Sequence, residues 1–93
     1  MSLHVLEMST TSGKPVVTLA SDNPQHNLAI TELQGPAARQ MAIKHAAQNG
    51  TTNARCEMPS APYPVDAEGQ PVVNPAQQKI AQYRIDVPIS TGM

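Results

Sequence analysis

The sequence predicts an α+β fold: a small antiparallel β-sheet of four to five strands with one main helix, about residues 36–49, packed on one face. Three observations lead there. The stretch Gly35 to Gly50 carries the start, interior and stop signals of a helix. The segments before and after it alternate apolar and polar residues with a period of two, as half-buried strands do. At 93 residues, with turn clusters between the patterned segments, the chain fits one domain. The predicted element order is β-β-β-α-β-(hairpin)-β. Residues 1–93 are read as a single domain with a proline-rich arm or hairpin at about 59–78.

Leu3 to Met8 reads as the first strand, with Leu3 and Val5 on one face and His4, Leu6 and Met8 on the other. A polar turn containing Gly13 leads to a returning strand at Val16–Ala20, so these two segments form a hairpin. Ser21-Asp22-Asn23-Pro24 is a second turn cluster. Asn27 to Leu33 then alternates Leu28 and Ile30 against Ala29, Thr31 and Leu33, which suggests a third strand.

The helix follows. Pro36 suits its first position, where a fixed φ helps and a missing N–H has no partner to lose. Ala, Gln, Met, Lys and Arg fill the interior, and Asn49-Gly50 supplies the stop. Gln40, Lys44 and Gln48 form the solvent stripe. Ala38, Ala42, Ile43 and Ala46 lie opposite, with Met41 and His45 on a shoulder. A buried face made mostly of alanine allows close approach but removes little apolar area from water.

Asn53 to Met58 suggests a short strand with Ala54, Cys56 and Met58 on one face, ended by Pro59. From Pro59 to Gln78 the composition shifts, with prolines at 59, 62, 64, 71 and 75. Ala61-Pro62-Tyr63-Pro64 reads as extended and polyproline-like, and Val65 to Val73 as a small hairpin turned at Glu68-Gly69. Asn74-Pro75 could cap one helical turn through Gln78. Ile80 to Ile89 has the cleanest period-two pattern, with Pro88 marking its end or an edge and a loose tail after it.

Composition narrows function. The 17 Val, Ile and Leu residues make a thin core, with no Phe or Trp and only Tyr63 and Tyr83 as rings. The net charge of −1 argues against a disordered chain. A thin-cored small domain often borrows burial from another subunit. One helix cannot cover four or five strands. The uncovered part is polar, covered by the proline-rich arm, or buried in a dimer, and the dimer is favoured. The six basic residues are scattered, which argues against nucleic acid as a partner. No segment has the length of a membrane span, and a single cysteine gives no reason to invoke an oxidising compartment. A cytoplasmic protein is the expectation.

The candidate sites are few. Gly35 and Arg39 could form an anion pocket at the helix N-terminus, with His45 (or His26) as a possible acid/base group. The bland alternative is an Arg39 that pairs with Glu32 or Glu7. Pro62, Tyr63 and Pro64 could form an interaction arm that docks on another chain, or Tyr63 could plug the protein's own core. Asp66 and Glu68 fall on the hairpin tip. Cys56 reads as a small core residue. No catalytic constellation emerges, and one Cys with three scattered His is not a metal site. No cofactor is implied. The preferred reading is a non-enzymatic interaction or accessory module acting as a homodimer, with another protein as a possible partner. The second reading is a small-molecule or anion binder, or a small enzyme, using Arg39.

Overall fold

A computed structural model describes residues 3–11, 13–23, 26–66, 68, 70–72 and 82–91. It is an α+β fold with one five-stranded antiparallel sheet and two helices on the same face. Strands β1 (Leu3–Thr11) and β2 (Lys14–Ser21) form the predicted hairpin, turned at Gly13 with φ +80°. Two helices follow, α1 (His26–Gln34) and α2 (Pro36–Gln48). The chain then runs through β3 (Ala54–Cys56), β4 (Tyr63–Val65) and β5 (Gln82–Thr91). β5 pairs with β2 along one side; on its other side β4 takes its first residues and β3 its last.

The third predicted strand is a helix. Residues 27–33 satisfy both periods, and the helical one wins because Ala29 and Leu33, four residues apart, reach the core and are buried. Leu28 stays exposed, and Thr31 Oγ1 donates back to Asn27 O at 2.8 Å. A helix of nine residues is marginal alone and holds by docking. It meets α2 at Gly35, where a Cβ would stand 3.1 Å from the Thr31 carbonyl oxygen.

α2 forms where the sequence places it, with Gly35 as N-cap and Pro36 in the first turn. Its end is a Schellman motif: Thr51 N–H donates to Ala46 O and Gly50 N–H to Ala47 O, with Gly50 at φ +93°. Ala38, Ala42 and Ala46 are fully buried, and Gln40, Lys44 and Gln48 are exposed. The helices lie on Val17, Leu19, Tyr83, Ile85, Val87 and Ile89.

Three local expectations are corrected. β1 carries a bulge between Val5 and Glu7, which restores Met8 to the side of Leu3 and Val5 and leaves Leu6 43% exposed. Met58 lies beyond β3 and is 88% exposed. Pro88 does not end its strand, which runs on to Thr91 and includes Ser90 of the supposed tail. The Pro88 carbonyl accepts from Glu57 N–H, so its ring nitrogen faces the same side, into the break between β3 and β4. The missing donor falls where no ladder bond is needed.

Ala61-Pro62-Tyr63-Pro64 is not a free polyproline segment, because Tyr63–Val65 pairs with Arg84–Gln82. Pro64 turns its carbonyl away from β5, to Val72 N–H, and its ring nitrogen with it. Asp66 Oδ1 accepts from the N–H groups of Glu68 and Gln70, both at 2.9 Å, closing the turn that brings Pro71 opposite Val65. The proposed turn at Asn74-Pro75, the remainder of the arm to residue 78 and the Ile80-Ala81 start of the last strand lie outside the described residues.

Candidate functional site

The register divides the polar side chains between two regions. The helix-covered face takes the odd-numbered residues of β2 and β5. The opposite, open face takes Thr18, Ala20, Gln82, Arg84, Asp86 and, across β4, Tyr63. Among the described residues no helix or strand packs on that open face.

At the α2 N-terminus, Arg39 is exposed and lines an open groove of about 450 Å³ with Gln34, Met58, Pro59, Ser60 and Ala61. Gly35 closes the helix start, its carbonyl accepting from Ala38 and Arg39 N–H. Arg39 pairs with neither expected acid. Glu32 is held by Ser21 and Asn23, whose side chains donate to its two carboxylate oxygens, and Glu7 sits opposite Thr18 on the open face. His45 does not converge on this groove: six residues further along α2 it lies about 9 Å down the axis. There its carbonyl accepts from both Asn49 N–H and Asn49 Nδ2. His26 begins α1.

Cys56 falls on the helix-covered face opposite Ile89, as its alternation predicts. Its thiol donates to Arg39 O at 3.3 Å. Burial pushes the thiol pKa above its ordinary value, and the Arg39 charge offsets this only in part. A raised pKa means little thiolate, the opposite of an activated nucleophile.

Tyr63 neither swings free nor plugs the helix-covered core. It is half-buried on the open face, between Pro62 and Pro64, and its hydroxyl donates to Asp86 Oδ1 at 3.4 Å. Thr18 Oγ1 donates to the same oxygen at 2.9 Å, and Asp86 N–H donates to Ser60 Oγ at 3.0 Å. Desolvation raises the Tyr63 pKa first, and the charge and hydrogen bond of Asp86 raise it further; nearby Arg84 works the other way. This row was missed in the sequence because its members come from four separate segments. The only signal was that Tyr63 and the polar side of the last strand had nowhere apolar to go.

A second cavity, of about 320 Å³, lies further along the same face between His4 and Arg84. His4 Nε2 stands 3.3 Å from Asp22 Oδ2 at its margin. Among the described residues no three His, Cys, Asp or Glu side chains group to hold a metal ion, and no helix is long and apolar enough to cross a membrane. Comparison with protein-family models, with curated proteins and with solved structures finds no match to this chain.

Proposed function

We propose that the chain is a non-enzymatic interaction module that acts as a homodimer, pairing through the outer edge of β1. The difference between the two sheet edges carries this reading. On the far side of β5 the edge is broken into two three-residue strands separated by Pro59 and Pro62, with Pro64 inside the second. Such features blunt an edge against foreign strands. β1 is nine residues long, contains no proline or lysine, and has no partner on its outer side among the described residues. The bulge at Leu6 interrupts it, but Glu7–Thr11 beyond is regular. The open face is lined by Glu7, Thr18, Arg84 and Asp86, so it needs no second copy to keep it dry. The edge does the recruiting.

Light scattering across micromolar concentrations tests the reading, with Ser9→Lys as the probe. Ser9 is exposed at the middle of the regular half, so the substitution leaves the fold intact. Antiparallel pairing about that point sets two added charges against each other and weakens the dimer by roughly tenfold. A wild-type chain that stays monomeric throughout ends the proposal. A cytoplasmic setting accords with it, Cys56 being a free thiol.

The groove at the α2 N-terminus supports a second reading, a small-anion binder. There Arg39 shares a concave surface with two polar side chains, Gln34 and Ser60. Titration with inorganic phosphate, followed by NMR on wild type and Arg39→Ala, tests it. Saturable shifts around Gly35 that vanish in the variant support it, and their absence in wild type removes it.

A further inference from the structure

The groove at the start of α2 has two unlike walls, and the second narrows what its anion can be. One wall is helical, with Gln34 at the end of α1 and the exposed Arg39 in α2. Among the described residues no acid pairs with the Arg39 guanidinium. Glu32 is taken by Ser21 and Asn23, and the two oxygens of Glu57 accept from Lys14 Nζ at 3.0 and 3.1 Å. The helix backbone adds little. Ala38 and Arg39 N–H already donate to Gly35 O, and Pro36 has no N–H to give. Side chains, and not the helix terminus, hold whatever binds here.

The other wall is the segment 58–61, which crosses the break between β3 and β4. It is fixed to β5 on both sides of the Met58-Pro59 pair: Glu57 N–H donates to Pro88 O at 2.8 Å, and Ser60 N–H donates to Asp86 O at 2.9 Å. The Cys56 thiol ties its root to α2 through Arg39 O. Pro59 has a fixed φ, so little backbone freedom is left to lose on binding. Yet Met58 is 88% exposed, against 51% for Leu28 and 43% for Leu6. A tethered backbone thus presents a bare thioether to the groove that holds an unpaired guanidinium. Thioether sulfur favours contact with aromatic rings. The planar fork of a guanidinium matches a carboxylate in bidentate fashion. Ser60 Oγ accepts from Asp86 N–H, which leaves the hydroxyl proton to donate elsewhere. A volume of about 450 Å³ admits a single-ring compound. Resting on the reading of this groove as an anion site, we propose that its ligand is a small aromatic carboxylate, its carboxylate on Arg39 and Ser60 and its ring against Met58 and Pro59.

Benzoate serves as the probe, with acetate as the carboxylate without a ring, benzamide as the ring without a charge, and inorganic phosphate as the plain anion. Binding is followed by backbone amide shifts in the full chain. Benzoate should saturate in the millimolar range at Gln34, Arg39, Met58 and Ser60, about fivefold tighter than acetate and at least about tenfold tighter than benzamide. Met58→Ala changes a side chain that the fold leaves in solvent. It should lower benzoate to the affinity of acetate and leave phosphate unchanged. Arg39→Ala should weaken benzoate by about tenfold or more, because the charge-assisted contact is lost. Benzoate no tighter than acetate, benzamide equal to benzoate, or benzoate affinity unaltered in Met58→Ala overturns the proposal. So do saturable benzoate shifts centred on other residues. Phosphate that still saturates at Arg39 in those cases leaves the anion site standing without its aromatic ligand. No saturable shift with benzoate, acetate or phosphate removes both.

Discussion

Thr18 and Asp86 face each other across the β2–β5 ladder, and the Thr18 hydroxyl donates to Asp86 Oδ1 at 2.9 Å. Thr18 is 6% exposed, so its hydroxyl has little water to turn to. Thr18→Val keeps the shape and the strand preference while removing the donor. Stability should fall by about 1 kcal/mol, measured by urea denaturation, since half-exposed Asp86 can recover part of the loss from water.

The same carboxylate governs Tyr63. Desolvation, then the charge and hydrogen bond of Asp86, place the folded-state phenol pKa above the value of about 10 found in an unfolded chain. A raised pKa means that the native state holds the proton more tightly than the unfolded state. The stability it confers is complete below about pH 10 and is lost as pH rises through the folded value. Tyr63→Phe should therefore lose less stability than wild type between neutral and strongly alkaline pH. Asp86→Asn should move the Tyr63 titration, followed by ultraviolet absorbance, back down toward the ordinary range.

Ser21 and Asn23, both buried at the end of β2, are tied to α1 through Glu32. The Asn23 N–H also donates to Ser21 Oγ at 3.2 Å. Glu32→Ala strips a buried hydroxyl and an amide of their acceptor. A loss of about 2 kcal/mol is expected in chemical denaturation. Glu32→Gln keeps one acceptor oxygen, so its loss should be clearly smaller.

The alanine face of α2 sets how near the helix lies to the sheet. Ala42 has no exposed surface, and a larger side chain there must push the helix off β2 and β5. Ala42→Leu should destabilise by about 1–3 kcal/mol in thermal or urea unfolding. Gln40→Ala, on the solvent stripe, should change stability by no more than about 0.5 kcal/mol.

Legibility differed from element to element for physical reasons. α2 was readable because Pro36, the alanine face and Asn49-Gly50 agree with one another over 13 residues. Residues 27–33 were not, because a nine-residue segment can show both periods, and only the contact of Ala29 and Leu33 with the sheet selects one. The place of Met8 turned on one extra residue in β1, and a bulge leaves no mark in apolar alternation except a broken phase. Of the candidate site residues, Gly35 and Arg39 share the helix start as their spacing requires, whereas His45 lies in the last turn of α2. Tyr63 could be singled out in the sequence as a ring between prolines. Its acceptor Asp86, and Thr18 that donates to the same carboxylate, could not, being 23 and 45 residues away along the chain.

By itself the sequence determined the helix, the first hairpin, the two-faced last strand and the thinness of the core, since each depends on local conformational preference or on a repeat within one segment. Tertiary structure alone decided that β5 sits between β2 and the β3–β4 edge, that Glu32 serves Ser21 rather than Arg39, and that His4 and Arg84 flank one cleft. Those outcomes depend on strand pairing between distant segments, whose register emerges only when both helices close over a single face of the sheet.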